Sequence, residues 1–407
     1  MENRKWFKTY MFIWAGQFAS MLTSYAVQFA IVIWLSLEYK SAEVLAYAGI
    51  AAMLPQALIG LIAGVYVDRL NRKYVMIFSD AFIAVCALVL LVILQNENVN
   101  LIWIYVLLGL RSIGNAFHTP ALQAIAPLIV PQSELIKVVG INQVLHSVCS
   151  IGGPAIGTLA IAYLPISMVL YLDLIGALLA ILSLVMVKIP DLVTKSKSSI
   201  HSITTDFLEG FQTISKNKGL RYLFLYAMAI TFIMMPAAIM FPLLTTGHYA
   251  GGKWEMGVIE VVWGGGMLIG GAILSTFKLK GSKVVAVNVM YVLLGLTFIL
   301  SGALPASWFV GFVLTTAIGG ISLSVFNGCF TAIVQTEVSP DKLGRVFSLY
   351  YSLAVLPSVI GLLFTGLIAE VIGVNISFII SGCLAILVGI LSFGTRNLMQ
   401  LDKIKNV

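Results

Sequence analysis

The stretch Gly64-Val65-Tyr66-Val67-Asp68-Arg69-Leu70-Asn71-Arg72-Lys73 sets Asp68, Arg69, Arg72 and Lys73 between two apolar runs, residues 44–67 and 74–95. Each run is longer than the roughly 20 residues that carry an α-helix across ~30 Å of hydrocarbon at ~1.5 Å per residue. The charged stretch therefore reads as a tight turn between two membrane helices. Gly64, near the end of the first, lets a neighbouring helix come close, and the Asp68 carboxylate can accept hydrogen bonds from the end of another helix. Such a charge-assisted contact would latch one side of a helical bundle shut.

Outward from this turn the pattern repeats. Apolar runs near 10–36, 44–67, 74–95, 101–125, 138–163, 165–188, 220–246, 255–277, 284–304, 308–333, 345–370 and 375–395 predict an all-α polytopic membrane protein of about twelve spans. Composition agrees: of 407 residues 60% are hydrophobic and 10% charged, with mean hydropathy +1.01. A soluble domain would carry roughly 25% charged residues. A transmembrane barrel would show alternating segments of about ten residues, and none dominates. The first run follows Arg4, Lys5 and Lys8, as a secretory signal would. It is too long for the apolar core of a signal and lacks a small-x-small cleavage site, so it is expected to stay as a span.

An even number of spans puts both termini on one side, and the basic residues choose which. Of the 24 Lys and Arg residues only Lys40 and Lys253 fall in the opposite connections, while Arg111 lies within a span. That bias predicts cytoplasmic termini. It also accounts for the net charge of +7 without a nucleic-acid partner. Cys86, Cys149, Cys329 and Cys383 all sit in apolar runs, which argues against a disulfide scaffold, and no metal-ligand spacing occurs.

Residues 189–219 form the one long polar connection and contain Lys195, Lys197, Lys216 and Lys218. The expected organisation is an N-terminal six-helix bundle over 1–190, a cytoplasmic linker over 191–219 and a C-terminal six-helix bundle over 220–407. Within the linker Ile203, Phe207, Phe211 and Ile214 recur at helical spacing, with Asp206 and Glu209 as an expected capping pair. A helix resting on the cytoplasmic surface explains this better than a partner-binding site. The halves echo one another: Val130-Pro131…Leu135-x-Lys137 and Ser339-Pro340…Leu343-x-Arg345 each precede a span rich in small residues. Parallel six-span repeats are one expected build for secondary transporters.

Several residues carry chemistry that an apolar span does not need. Arg111, Asn115 and His118 share one face of span four. An arginine at that depth costs several kcal/mol unless it faces the interior with a partner. Counting the helical rise, Arg111 lies ~15 Å deep and Asp173 of span six ~12 Å deep, so the two are matched within one half. A static ion pair and a proton-coupling switch both fit. Asp80, in the cytoplasmic third of span three, is close enough to Asp68 to join the latch, a reading preferred over proton carriage. Glu260 in span eight has no cation at its depth in its own half. A desolvated lone carboxylate can hold a proton, which makes Glu260 a coupling candidate, although an aqueous vestibule would serve it equally.

In span five, Gly152-Gly153-Pro154-Ala155-Ile156-Gly157 combines a proline, which frees a backbone carbonyl, with glycines that permit close packing. That suits a helix which bends between two states, and plain packing is the alternative. His146 in the same span reads as a packed polar residue rather than a relay. Polar stripes lie on span one (Gln17, Ser20, Ser24, Gln28) and span ten (Thr316, Ser324, Asn327, Thr331), and an apolar Met-rich face on span seven (Phe224, Met228, Phe232, Met235, Ile239). No Gly-x-x-x-x-Gly-Lys-Ser/Thr loop is present, so direct use of ATP is not expected. Nor does any nucleophile-base constellation stand out, so an enzyme lacks support.

Gly-x-x-x-Asp-Arg-x-x-Arg-Lys after span two resembles the signature of the major facilitator superfamily, and Gly153-Pro154-x-x-Gly157 resembles its antiporter motif. Nearly the whole chain is similar to the macrolide-efflux protein family of that superfamily. The likeness rests on the Asp68 loop through Asp80, Arg111-Ser112-Ile113-Gly114-Asn115-Ala116-Phe117-His118-Thr119-Pro120-Ala121-Leu122, Asn217-Lys218-Gly219-Leu220, Gly266-Met267-Leu268-Ile269-Gly270-Gly271, Leu343-Gly344-Arg345-Val346-Phe347-Ser348-Leu349 and Ile372-Gly373-Val374-Asn375. The resemblance implies export of lipophilic antibiotics driven by the proton gradient, with no cofactor, by a monomer embedded in the lipid of a bacterial plasma membrane. It also implies a central cavity lined by spans one, four, seven and ten, and so by the stripes above. The matched segments are mostly scaffold and gate, so another drug, a siderophore or a metabolite stays open as cargo.

Overall fold

The computed structural model describes residues 5–95, 99–131, 134–189, 200–276, 281–339 and 342–401. Lipid offers no hydrogen-bond partner to a backbone, so long apolar runs satisfy their own polar groups as helices. The helices in chain order are α1 Lys5–Tyr39, α2 Ala42–Arg69, α3 Arg72–Ile93, α4 Leu101–Ile129, α5 Leu135–Tyr163, α6 Ile166–Val169, α7 Tyr171–Val185 and α8 Ile200–Lys216. They continue as α9 Lys218–Ile239, α10 Phe241–Gly247, α11 Lys253–Thr276, α12 Lys283–Ala303, α13 Phe309–Glu337, α14 Leu343–Ile372, α15 Val374–Gly394 and α16 Arg396–Met399. No strand occurs among the described residues. Among the described residues eleven segments are long and apolar enough to cross a membrane, α6 and α7 counting together as Ile166–Val185, and α14 adds a shorter apolar stretch over Pro357–Ile372.

Two compact units divide the chain. The first takes residues 1–38 and 47–200, the second 39–46 and 201–407. The described part of α8 runs from Ile200, which places positions 206 and 209 in its interior and not at a capping position. The apolar residues of α8 do not share one environment either: Ile214 is buried while Leu208 and Phe211 are exposed.

Asparagines mark the starts of two spans. Asn71 Oδ1 accepts from the backbone N–H of Lys73 at 3.1 Å and of Tyr74 at 3.4 Å, capping α3. Asn217 Oδ1 accepts from Gly219 at 3.0 Å and Leu220 at 3.2 Å, capping α9. Each cap satisfies amides that the first helical turn leaves open, and is worth about 1 kcal/mol. In the first unit, helix α5 lies directly on α1: a methyl group on Gly157 would overlap the carbonyl of Ala26, and one on Gly153 would overlap Tyr25. In the second, α11 meets α13 where a side chain on Gly266 would overlap the carbonyl of Ala317.

Candidate functional site

Helix α1 carries Gln17, Ser20 and Ser24 at a spacing that puts them on one face. That face meets two acids, Asp80 from α3 and Asp173 from α7, and two bases from α4, Arg111 and His118. Asp80, Asp173, Arg111 and His118 are 3%, 2%, 4% and 7% exposed, and Gln17 is fully buried. Charges this deep are tolerated only with partners. The partners fall into two clusters.

In one cluster Arg111 Nη1 forms an ion pair with Asp173 Oδ2. Ser24 donates to the other carboxylate oxygen, Asp173 Oδ1, at 2.7 Å. The two residues matched in depth along the sequence are thus in contact, and α1 is tied to both. In the other cluster Ser20 donates to Asp80 Oδ1 at 3.3 Å and Gln17 Nε2 to Asp80 Oδ2 at 3.4 Å. His118 Nε2 lies 2.9 Å from Gln17 Oε1 and 3.5 Å from Asp80 Oδ1. The partners of Asp80 among the described residues are therefore on α1 and α4. The side chains of Gly64, Asp68 and Arg69 lie outside the described set, so the geometry of the loop latch does too.

Elsewhere in that loop, Arg72 is half-buried and Lys73 has a clear task. Its Nζ donates to the backbone carbonyls of Val187 at 2.7 Å and Val185 at 3.4 Å. An ammonium at the carbonyl end of α7 complements the helix dipole and ties the start of α3 to the end of span six. Sequence reasoning missed this contact. A single sequence carries no signal for it, because the segments that meet are more than a hundred residues apart. Gly153, Pro154 and Gly157 are all buried, and α5 presses against α1 there. Asn115 and Gln28 are half-buried. His146 Nε2 lies 3.1 Å from the Tyr25 hydroxyl.

The second unit is arranged differently. Glu260 is half-buried on α11 and makes no hydrogen bond or ion pair among the described residues. Three residues on, Trp263 packs near Gly319 and Gly320 of α13. Asn327 is exposed, Met228 and Met235 are half-buried and Phe232 is exposed. The unit also holds two groups of packed rings, in which only Phe224 stands among the residues that the sequence singled out. Phe224 lies 5.3 Å from Phe330 and 5.5 Å from Tyr350, and Phe241 sits within 5.8 Å of Trp263, Phe298, Phe312 and Phe378, centroid to centroid. Phe241 owes its place to the break between α9 and α10 at Met240.

The structure thus brings together Gln17, Ser24, Asp80, Arg111, His118 and Asp173 in the first unit and leaves Glu260 apart in the second. The first arrangement can hold α1 by charge.

A sequence profile of the Major Facilitator Superfamily matches residues 13–290. Over 401 residues the chain is 35% identical to Macrolide efflux protein A of Streptococcus pyogenes, covering 98% of this chain and 99% of that protein. The protein of the same name from Enterococcus faecalis is 35% identical over 309 residues, 76% of this chain and 96% of the relative. Among solved structures, a mutant form of the nucleoside transporter NupG matches with a TM-score of 0.77 at 14% identity, over 95% of this chain and 99% of that one, a likeness of fold.

Proposed function

The chain belongs to the Major Facilitator Superfamily, and on that premise we propose that it exports macrolide-like lipophilic antibiotics in exchange for protons. It is a membrane transporter of the drug-efflux kind and not an enzyme. The observation that carries the substrate class is the 35% identity to Macrolide efflux protein A from one end of the chain to the other. Buried titratable groups supply the means of coupling, and the proton gradient supplies the energy without a cofactor. The charge bias of the connections supports cytoplasmic termini in a bacterial plasma membrane, where the chain works as a monomer in contact with lipid.

In this reading Gln28, Asn115, Met228, Phe232, Met235 and Asn327 border the drug's route, and Glu260 competes for a proton or for the protonated amine that macrolides carry. Asp68 closes the cytoplasmic side. Asp68→Asn removes the charge without touching the drug, so it should cripple export at unchanged expression. Normal resistance at equal protein level would contradict the latch. The function itself is tested in a pump-deleted host: the chain should lower accumulation of erythromycin and raise resistance, and an uncoupler should abolish both. Accumulation that stays low with the gradient collapsed would contradict proton coupling.

A further inference from the structure

We propose that His118 and Asp80 form the proton-binding site of the first helical unit, with the proton entering at Nδ1 of His118, while the Arg111–Asp173 pair keeps its charge throughout. The assignment deepens the antiport reading and rests on it. The Gln17 side chain has no access to solvent. Its amide nitrogen donates to Asp80 Oδ2, which leaves its oxygen 2.9 Å from His118 Nε2. A carbonyl oxygen only accepts, so Nε2 of His118 carries the hydrogen. That N–H also lies 3.5 Å from Asp80 Oδ1. The neutral ring therefore keeps its lone pair on Nδ1, and no described residue hydrogen-bonds there.

Adding a proton at Nδ1 makes one N–H bond and breaks none. It changes the cluster from a carboxylate held by neutral donors to an imidazolium–carboxylate pair. Each state answers part of the cost of burial: the first has two neutral donors to the anion, from Gln17 and Ser20, with His118 3.5 Å away, and the second has charge compensation. Neither state is locked, as a proton carrier requires. The other cluster offers no such choice, because a guanidinium stays charged at every relevant pH.

The surroundings of His118 are sparse in charge. Helix α3 contributes Asp80, and its Cys86 thiol lies in the field of Arg111. On α4 itself Arg111 is about two turns away and engaged with Asp173 of α7. Helix α1 contributes only the neutral Gln17 and Ser20, and its Tyr10 hydroxyl, about two turns earlier, bonds to Asn142 of α5. Among the described residues Asp80 is thus the single charge facing the ring. The site also has a mechanical outlet. Gln17 and Ser20 are both held by Asp80, and the same helix backs onto α5 where Ala26 meets Gly157. The charge state of the pair therefore sets how firmly α1 is clasped beside the proline-containing helix.

Two experiments on the full chain test this. The chain has four histidines, so His146→Gln/His201→Gln/His248→Gln leaves His118 as the sole imidazole. Purified through a histidine-free tag and labelled with 15N-histidine, that variant should pass from the neutral Nε2–H pattern to the imidazolium pattern as the pH is lowered. In proteoliposomes, His118→Gln should lose the erythromycin flux that an imposed pH gradient drives, falling to the level seen without a gradient, while drug still equilibrates down its own gradient. A ring that keeps one state at every pH at which the protein stays folded, or a wild-type gradient-driven flux in His118→Gln, would overturn the assignment. If His118→Gln fails to fold, the labelled triple variant decides alone. Absence of gradient-driven flux in the wild type would overturn the antiport reading itself, and this assignment with it.

Discussion

In the first helical unit Asp80, Arg111, His118 and Asp173 are buried around α1, whereas the second unit packs Phe241, Phe298, Phe312 and Phe378 ring against ring and holds Glu260 half-buried on α11 with no ion-pair partner among the described residues. The contrast is one of directionality. A buried ion pair or carboxylate has a few allowed partners, and losing one leaves a charge stranded in a medium that cannot solvate it. A ring cluster is held by area and dispersion and tolerates small shifts of its members. The first unit is therefore built to hold α1 through a few directional charged partners, and the second to hold its helices through a buried core of rings.

The largest expected effect is on the ion pair. Arg111→Ala strands Asp173 and should cost ~3–5 kcal/mol. Adding Asp173→Ala should recover part of that loss, and a thermal-shift double-mutant cycle measures the coupling. Strictly additive losses would erase the first half of the comparison.

How much of this could be read from the chain alone follows from what the membrane does to a helix. Because hydrocarbon forces every long apolar run into a helix, the runs around Asp68 already specified an all-α polytopic fold. Helical rise then converts sequence position into depth, which is how Arg111 and Asp173 could be matched before any contact was seen. Depth is not direction. At its height Asp80 could turn toward the Asp68 loop or toward α1 and α4, and no count of residues decides between them. For the same reason the polar stripe on α1, which the resemblance assigns to the cavity, does not tell which members face it and which pack between helices, the default for any one of them, and Gln17 and Ser20 are buried against Asp80. Lys73 reaches Val187 by a contact between segments more than a hundred residues apart, for which a single sequence carries no signal.

A smaller effect is expected where α5 rests on α1. Gly157→Val would drive a side chain into the Ala26 carbonyl. Overpacking of this kind costs ~1–3 kcal/mol, read as a lower midpoint in thermal unfolding of purified protein. Wild-type stability would mean that α1 and α5 are free to separate, and that the charge state of the Asp80 cluster has no mechanical path to α5.

The smallest effect sharpens the other side of the comparison. Phe241 and Phe298 lie 5.7 Å apart in an edge-to-face arrangement. A cycle of Phe241→Leu and Phe298→Leu should show a coupling of only ~0.5–1.5 kcal/mol. A coupling as large as that of Arg111 with Asp173 would mean that the second unit is as sharply defined as the first, and the contrast would fall.

The central claim is that drug and proton compete for this chain, and the direct measurement is proton release on drug binding. Purified protein in weakly buffered detergent solution is titrated with erythromycin near neutral pH, with a pH dye reporting protons and tryptophan fluorescence reporting binding. The account predicts acidification that saturates together with binding and is reduced in Glu260→Gln. Saturable drug binding with no proton released would contradict it.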